Sequence, residues 1–398
     1  MNIDPPEENL EKSYPSKSIR ASRGLKEIVV EEIAAEGTIP FSTFMERALY
    51  HPELGYYLQP GLEVGKKGDF YTSVSVGKCF GLLLSRRLAK FWRHMGQPGE
   101  FVVSEAGAHG GQLAYDILEE AAETDPDFFA ALSYRIVEPQ PRLRKSQEAT
   151  LEKFSAKCSW SSDWKNLSPK DGAILSNELF DAFPVDLITL KDGQWQECQV
   201  RVESDNLVFC NEPIHDTELQ TLAAKLPARN YPENYLTECA RGIEDWVSQA
   251  AKSLKRGLWL SIDYGFNFED YYLPERSDGT LRAYQNHRMN DQVLENPGRQ
   301  DLTADVDFTR LANAGTKAGF SPNGYADQAR YLTAVAKSWL MDLEKSGITG
   351  SHPLLRQFQT LTHPTKLGTR FQVMEMVTEG LQEPSPFLFS ANGWKRLT

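Results

Sequence analysis

Glu100 to Gln112, EFVVSEAGAHGGQ, constrains the fold more than any other stretch of the chain. Phe101-Val102-Val103 is a short aromatic and β-branched run of the kind that forms a buried strand. Gly107, Gly110 and Gly111 punctuate a turn, and Leu113 to Leu118 then recur at helical spacing. A strand, a turn poor in side chains and a helix start together make a pocket for a polar cofactor. The glycines let a ligand approach the backbone, and the first helical N–H groups point at it. A plain strand-to-helix turn is the alternative reading. Glu105 stands ahead of the glycines, whereas the dinucleotide fingerprint begins on glycine and places its acid after the following strand.

The order E-x-G-x-x-G-G is closer to the E-x-G-x-G-x-G pattern of S-adenosylmethionine sites, with His109 in the middle glycine position. A chain of 398 residues with 40% hydrophobic and 25% charged residues has the material for a large soluble α/β core. Its net charge of -12 argues against broad capture of nucleic acid, which rests on Lys and Arg at phosphates, and suits a basic protein partner better. Five cysteines without a C-x-x-C pair suggest neither a zinc site nor a disulfide framework, so a reducing compartment is expected. No apolar run approaches membrane-spanning length. The acidic, proline-bearing start, MNIDPPEENLEK, reads as a disordered tail over 1–17 rather than a transit peptide, and the expected location is cytoplasmic.

In chain order, residues 18–95 read as a helical cap. It carries a turn-rich aromatic segment, His51 to Tyr57, and a second glycine loop, GKKGDFYTS, that offers Tyr71 and Thr72 as cofactor contacts. Tyr134 to Pro139 reads as a second strand with Glu138 at its carboxyl end, where an acid can accept both ribose hydroxyls or simply face solvent. Trp160 and Asp163 follow at the third strand, as an adenine-stacking ring and an acceptor for the adenine amino group, or equally as core and surface residues. Gly172 to Asp186 is an apolar strand ending in acids. If the turn after Asn177 is helical, Glu178 and Asp181 share a face, and Asp181 has a second reading as a helix cap. Hairpin signals at Asp192-Gly193 and Ser204-Asp205-Asn206 mark an insertion over 191–249. Gly257 to Gly265 restores the sheet, again ending in an acid. The core is expected over 96–190 and 250–268, completed by strands near 326–335 and 368–378, with substrate-side additions over 269–325 and 336–367.

Together GDFYTS at 68–73, the E-x-G-x-x-x-G turn at 105–111, Val137-Glu138, Asn177-Glu178 with Asp181-Ala182 and Pro184-Val185, Ile262-Asp263-Tyr264-Gly265, GTLRAY at 279–284 and DLTADVDF at 301–308 resemble the MidA-like methyltransferase family. The likeness runs in order over about residues 19–376. That family includes an arginine methyltransferase of respiratory complex I assembly. The resemblance implies a class I S-adenosyl-L-methionine fold, an α/β Rossmann-like sheet of seven mostly parallel strands with one antiparallel, carrying the helical cap and inserted lobes. It implies S-adenosyl-L-methionine as cofactor, with Glu105, Gly107, His109 and Gly111 at its methionine end and Glu138 at its ribose. Asn177, Glu178 and Asp181 would face the methyl acceptor, and a protein substrate of the respiratory-subunit kind would supply it.

Methyl transfer from a sulfonium asks the protein mainly for proximity and alignment. Carboxylates suit an arginine acceptor, whose guanidinium stays charged and meets them through a planar fork of donors. Glu178, with Asp181 or Asp186, is therefore the expected clamp. A small-molecule acceptor and a non-catalytic assembly factor are the competing readings. A nicotinamide dehydrogenase lacks its glycine-first motif here, and a base methyltransferase lacks an N-P-P-Y-like strand end.

Overall fold

The computed structural model describes residues 24–59, 72–227, 229–285, 288–347, 350, 352–383 and 397. The expected tail over 1–17, Tyr71 and most of the GDFYTS loop lie outside them. Phe101–Ala106, here β1, is buried at all six positions, as a central strand covered on both faces should be. In chain order the other strands on the main path of its sheet are β2 (Leu132–Val137), β3 (Cys158–Ser161), β4 (Lys170–Asn177), β5 (Leu254–Phe266), β6 (Phe320–Asp327) and β7 (Phe371–Thr378), with the two-residue strand Val306–Asp307 added beside the end of β5. Their spatial order is β3-β2-β1-β4-β5-β7-β6. From β3 to β5 every pairing is parallel, while β7 runs antiparallel to both its neighbours. This is the class I methyltransferase sheet that the motifs imply. The chain reverses direction in strand order at β1 and β4, and their carboxyl ends open there as a crevice for a ligand.

Strand and helix boundaries follow local chemistry. Asp307 and Asp327 each accept an N–H from the first turn of the helix that follows, Phe308–Lys317 and Gln328–Lys345 respectively. That second cap corrects the expectation of a strand near 326–335. The strand is Phe320–Asp327, and from Gln328 the chain is helical because Asp327 starts a helix whose apolar residues Tyr331, Leu332, Val335 and Ala336 fall at helical spacing.

A second sheet carries the inserted lobe: Ile39–Pro40, Gln194–Glu203, Val185–Lys191 and Leu236–Ala240, with Asn206–Pro213 paired to Gln194–Glu203. Both hairpin signals fold as turns. Asp192 and Gly193 link the pair Lys191 and Gln194, Ser204 and Asp205 link Glu203 and Asn206, and all four turn residues have positive φ. The lobe begins at Val185 rather than 191, because Val185–Lys191 pairs within this sheet and leaves β4 as the last core strand before it. Cap helices Leu25–Glu36 and Phe41–Tyr50 bury Val29, Ile33, Phe41 and Phe44 against Val185, Leu187 and Val200 of the lobe, so these two helices and the lobe share a hydrophobic core separate from that of the main sheet, whereas helix Cys79–His94 of the expected cap is buried in the main core instead. Among the described residues no helix is long and apolar enough to cross a membrane.

Candidate active site

A cavity of about 740 Å³ opens over the carboxyl ends of β1, β2 and β4, walled on its far side by the cap. Glu105, Glu138, Asp163, Glu178, Asp181 and Asp301 line it, and none of the described lining residues is Lys or Arg. Such a surface disfavours a pyrophosphate and favours a cation.

The cofactor half grows from β1. Gly107 turns the chain at φ +74°, and a Cβ there would come within 3.0 Å of Leu179 Cδ1, while one on Gly110 would meet nothing within 4 Å. His109 continues at φ +43° and Gly111 at +83°. Glu105 is buried and accepts the Tyr134 hydroxyl at 2.7 Å. Burial pushes its pKa up to about 7, the tyrosine bond partly opposing. Burial holds the His109 imidazole below its ordinary value, and so neutral. Glu138 accepts the Gln140 N–H at 2.9 Å and Gln147 Nε2 at 3.0 Å. Gln147 also donates to the His109 carbonyl at 2.9 Å and accepts the Trp160 indole N–H at 3.0 Å. One buried amide thus ties the glycine turn to two neighbouring strands. Thr72 lines the cavity and exchanges hydrogen bonds with Ser75. Asp163 lines it too, its carboxylate accepting the Lys165 N–H at 2.8 Å. Trp160 does not: its ring is tied to Gln147 with Arg144 over it, and Trp164 lines the cavity instead.

The other half is built where β4 ends. Asn177 donates to Glu178 Oε1 at 3.1 Å, while its own buried Oδ1 has no donor among the described residues. The turn that follows is not helical, contrary to the expectation of a shared helical face. Glu178 adopts φ +51°, which ends the strand and breaks the spacing that a helix would need. Asp181 consequently caps nothing; it points into the cavity with Glu178. Burial, with the negative charge of Asp263 adding to it, pushes Glu178 up to about 8. Asp181 rises well above its ordinary value for the same two causes. Asp263 is raised by burial as well, and the four backbone N–H groups it accepts, which favour its ionised form, oppose that rise. Asp186, the other expected clamp residue, is withdrawn: it is held by Ser42 and Arg241 in the inserted lobe.

Sequence reasoning missed three partners of this half. Tyr57 donates to Asp301 at 2.9 Å, Tyr50 donates to the Ala182 carbonyl at 2.7 Å, and the two rings lie 5.6 Å apart along the wall facing Glu178. The aromatic segment before Tyr57 and the DLTADVDF motif were visible as signals, but nothing in them indicated that they meet.

Fold and cavity define a class I methyltransferase. The model of the S-adenosyl-L-methionine-dependent methyltransferase family Methyltransf_28 matches residues 83–326. A crystal structure from Burkholderia thailandensis bound to S-adenosyl-homocysteine is 30% identical with a TM-score of 0.81, covering 93% of this chain and 95% of that one. A Drosophila melanogaster relative, "Protein arginine methyltransferase NDUFAF7 homolog, mitochondrial", is 29% identical over 94% of this chain and 89% of its own. The Mus musculus "Protein arginine methyltransferase NDUFAF7, mitochondrial" is 28% identical over 91% and 86%. The chain belongs to this S-adenosyl-L-methionine-dependent methyltransferase family, whose MidA-like motifs it carries, and S-adenosyl-L-methionine is its cofactor. The residues present fit that cofactor: an open glycine face, acids and a neutral imidazole in place of basic phosphate ligands, and a strand-end carboxylate at Glu138.

Proposed function

We propose that the protein methylates an arginine side chain of a protein partner. The observation that carries this reading is the half of the cavity assigned to the acceptor, which Glu178, Asp181 and Asp301 line together with Tyr50 and Tyr57. Carboxylates receive the planar guanidinium donors, and aromatic faces attract a cation. The names of the relatives above lend the same support.

On this reading Glu105, Gly107 and His109 hold the methionine end of the cofactor and Glu138 the ribose, with Thr72 and Asp163 at the margins; Gly111, expected there too, does not line the cavity and turns instead toward Gln147 and Leu151. When bound, S-adenosyl-L-methionine supplies an electrophilic methyl group on a sulfonium centre. Glu178 and Asp181 orient the guanidinium, and Asn177 fixes the Glu178 carboxylate. A guanidinium that gains a methyl group and stays a monocation releases one proton, which Glu178, raised to about 8, is placed to accept.

Incubation with methyl-labelled S-adenosyl-L-methionine and cell lysate, followed by amino-acid analysis of the labelled species, tests this. Labelled methylarginine is expected, and label confined to a small molecule or another side chain overturns it. A non-catalytic assembly factor is a second reading, favoured by His109 taking a left-handed turn position that glycine fills at less cost. Cofactor binding far weaker than micromolar would support it. A reducing, cytoplasmic setting belongs to the same proposal, supported by five unpaired cysteines and tested by cell fractionation.

A further inference from the structure

Ile262-Asp263-Tyr264-Gly265 stands at the end of β5, and Asp263 is fully buried behind the cavity rather than lining it. Register places Ile262 beside Asn177, so Asp263 comes level with Glu178 on the neighbouring parallel strand. Its Oδ2 accepts the N–H groups of Leu179 at 3.1 Å, Phe180 at 2.9 Å and Asp181 at 3.4 Å, and its Oδ1 accepts that of Tyr264 at 2.9 Å. The Glu178 N–H is bound in turn by the Ile262 carbonyl at 2.9 Å. Three successive amides converging on one carboxylate oxygen is the arrangement of a helix start, yet no helix follows. The cap comes from a strand more than eighty residues away and holds a turn that leaves β4 through a left-handed glutamate. Without that acceptor the three amides, two of them fully buried, would lose their partner, and the turn would relax toward a helical or extended path that re-aims both cavity-facing acids.

We propose that Asp263 is a positioning residue for methyl transfer, holding the turn from Glu178 to Asp181 so that both carboxylates face the acceptor. The inference rests on the reading above for the roles of Glu178 and Asp181. The acceptor identified with labelled cofactor, whatever its chemistry, serves as the probe in single-turnover transfer with the full chain.

Asp263→Asn keeps the shape but presents an amide where N–H groups converge. Transfer should fall about 10²-fold, the scale of a misplacement of about 1 Å. Calorimetric cofactor affinity should fall far less, within about tenfold, since Asp263 accepts no hydrogen bond from the Glu105–Gln112 run and only Leu179 of its turn borders Gly107. In the Glu178→Gln background the same change should add little, because both substitutions disable one unit. A folded Asp263→Asn chain with parent rates overturns the proposal, and so do losses that multiply in the double variant. Should that variant not fold, amide exchange in the parent protein decides: the Leu179, Phe180 and Asp181 amides should be protected like those of β4, and rapid exchange overturns it. A non-arginine acceptor with non-additive losses refutes the arginine reading and leaves this inference standing; multiplicative losses on arginine do the reverse.

Discussion

The two halves of the cavity are assembled in opposite ways. The cofactor half comes mostly from one run, Glu105 to Gln112, with Glu138 and Gln147 close behind in the chain. The acceptor half draws on residues 50–58, 177–183, 263 and 301, segments that the fold brings into contact across as many as 244 residues of sequence, as between Tyr57 and Asp301. Local assembly is tuned by backbone geometry, and distant assembly by buried charge. The halves should therefore fail differently when perturbed.

The sharpest break is Glu178→Gln, which keeps volume and removes the charge. Single-turnover methyl transfer should drop roughly 10²–10³-fold, the scale of deleting one preorganised electrostatic contact, with calorimetric cofactor affinity near that of the parent. Equal loss in both quantities would erase the distinction between the halves. Gly107→Val attacks the other half. A branched Cβ at φ +74° costs about 1–3 kcal/mol of backbone strain and meets Leu179, so cofactor affinity should fall about 10²-fold while the sheet keeps its circular dichroism. Unchanged affinity in the folded variant would show that the turn does not hold the ligand.

These contrasts explain what the sequence made legible. The buried strand, the glycine turn and both hairpins followed from short patterns whose physics is complete within about fifteen residues, whereas the sheet as a whole came from the family resemblance. Trp160 was misjudged because its strand position was right but its indole was claimed by Gln147, a partner that periodicity cannot reveal. Asp186 looked equivalent to Asp181 until Arg241, in a different sheet strand's extension, took it. The left-handed conformation of Glu178 was invisible for the same reason, since its cause lies across the sheet in Asp263.

Smaller effects sharpen the comparison. Glu138→Ala should cost about 1.5–3 kcal/mol of cofactor binding if its carboxylate accepts charged hydrogen bonds from ribose, and calorimetry reads this directly. Parent-like affinity would make it only a partner for Gln147. The acceptor half should also respond to pH. Glu178 is raised from 4.5 to about 8, so the folded chain keeps a proton that the unfolded chain has released. This group's contribution to stability is therefore greatest below about pH 4.5 and declines as pH rises toward about 8. The thermal midpoint of the cofactor-free protein should fall over that interval, and the decline should be shallower in Glu178→Gln. Over the same interval the transfer rate should climb as the acid ionises, and a rate that falls instead would exclude Glu178 as the acceptor's counter-charge.

The separate hydrophobic core shared by the cap and the inserted lobe has a consequence for traffic through the cavity. Tyr50 and Tyr57 form a wall that packs with this smaller core, whereas the opposite wall belongs to the sheet. Smaller units open at lower free energy than the whole molecule. The proposed peptide acceptor would then enter and leave by transient loosening of the smaller core, with the cofactor cradle still folded, which sets exchange of the two ligands on separate clocks. Amides of Leu25–Glu36 and Phe41–Tyr50 should accordingly exchange faster than those of β1 and β4, and equal protection throughout would mean that the molecule opens only as one piece.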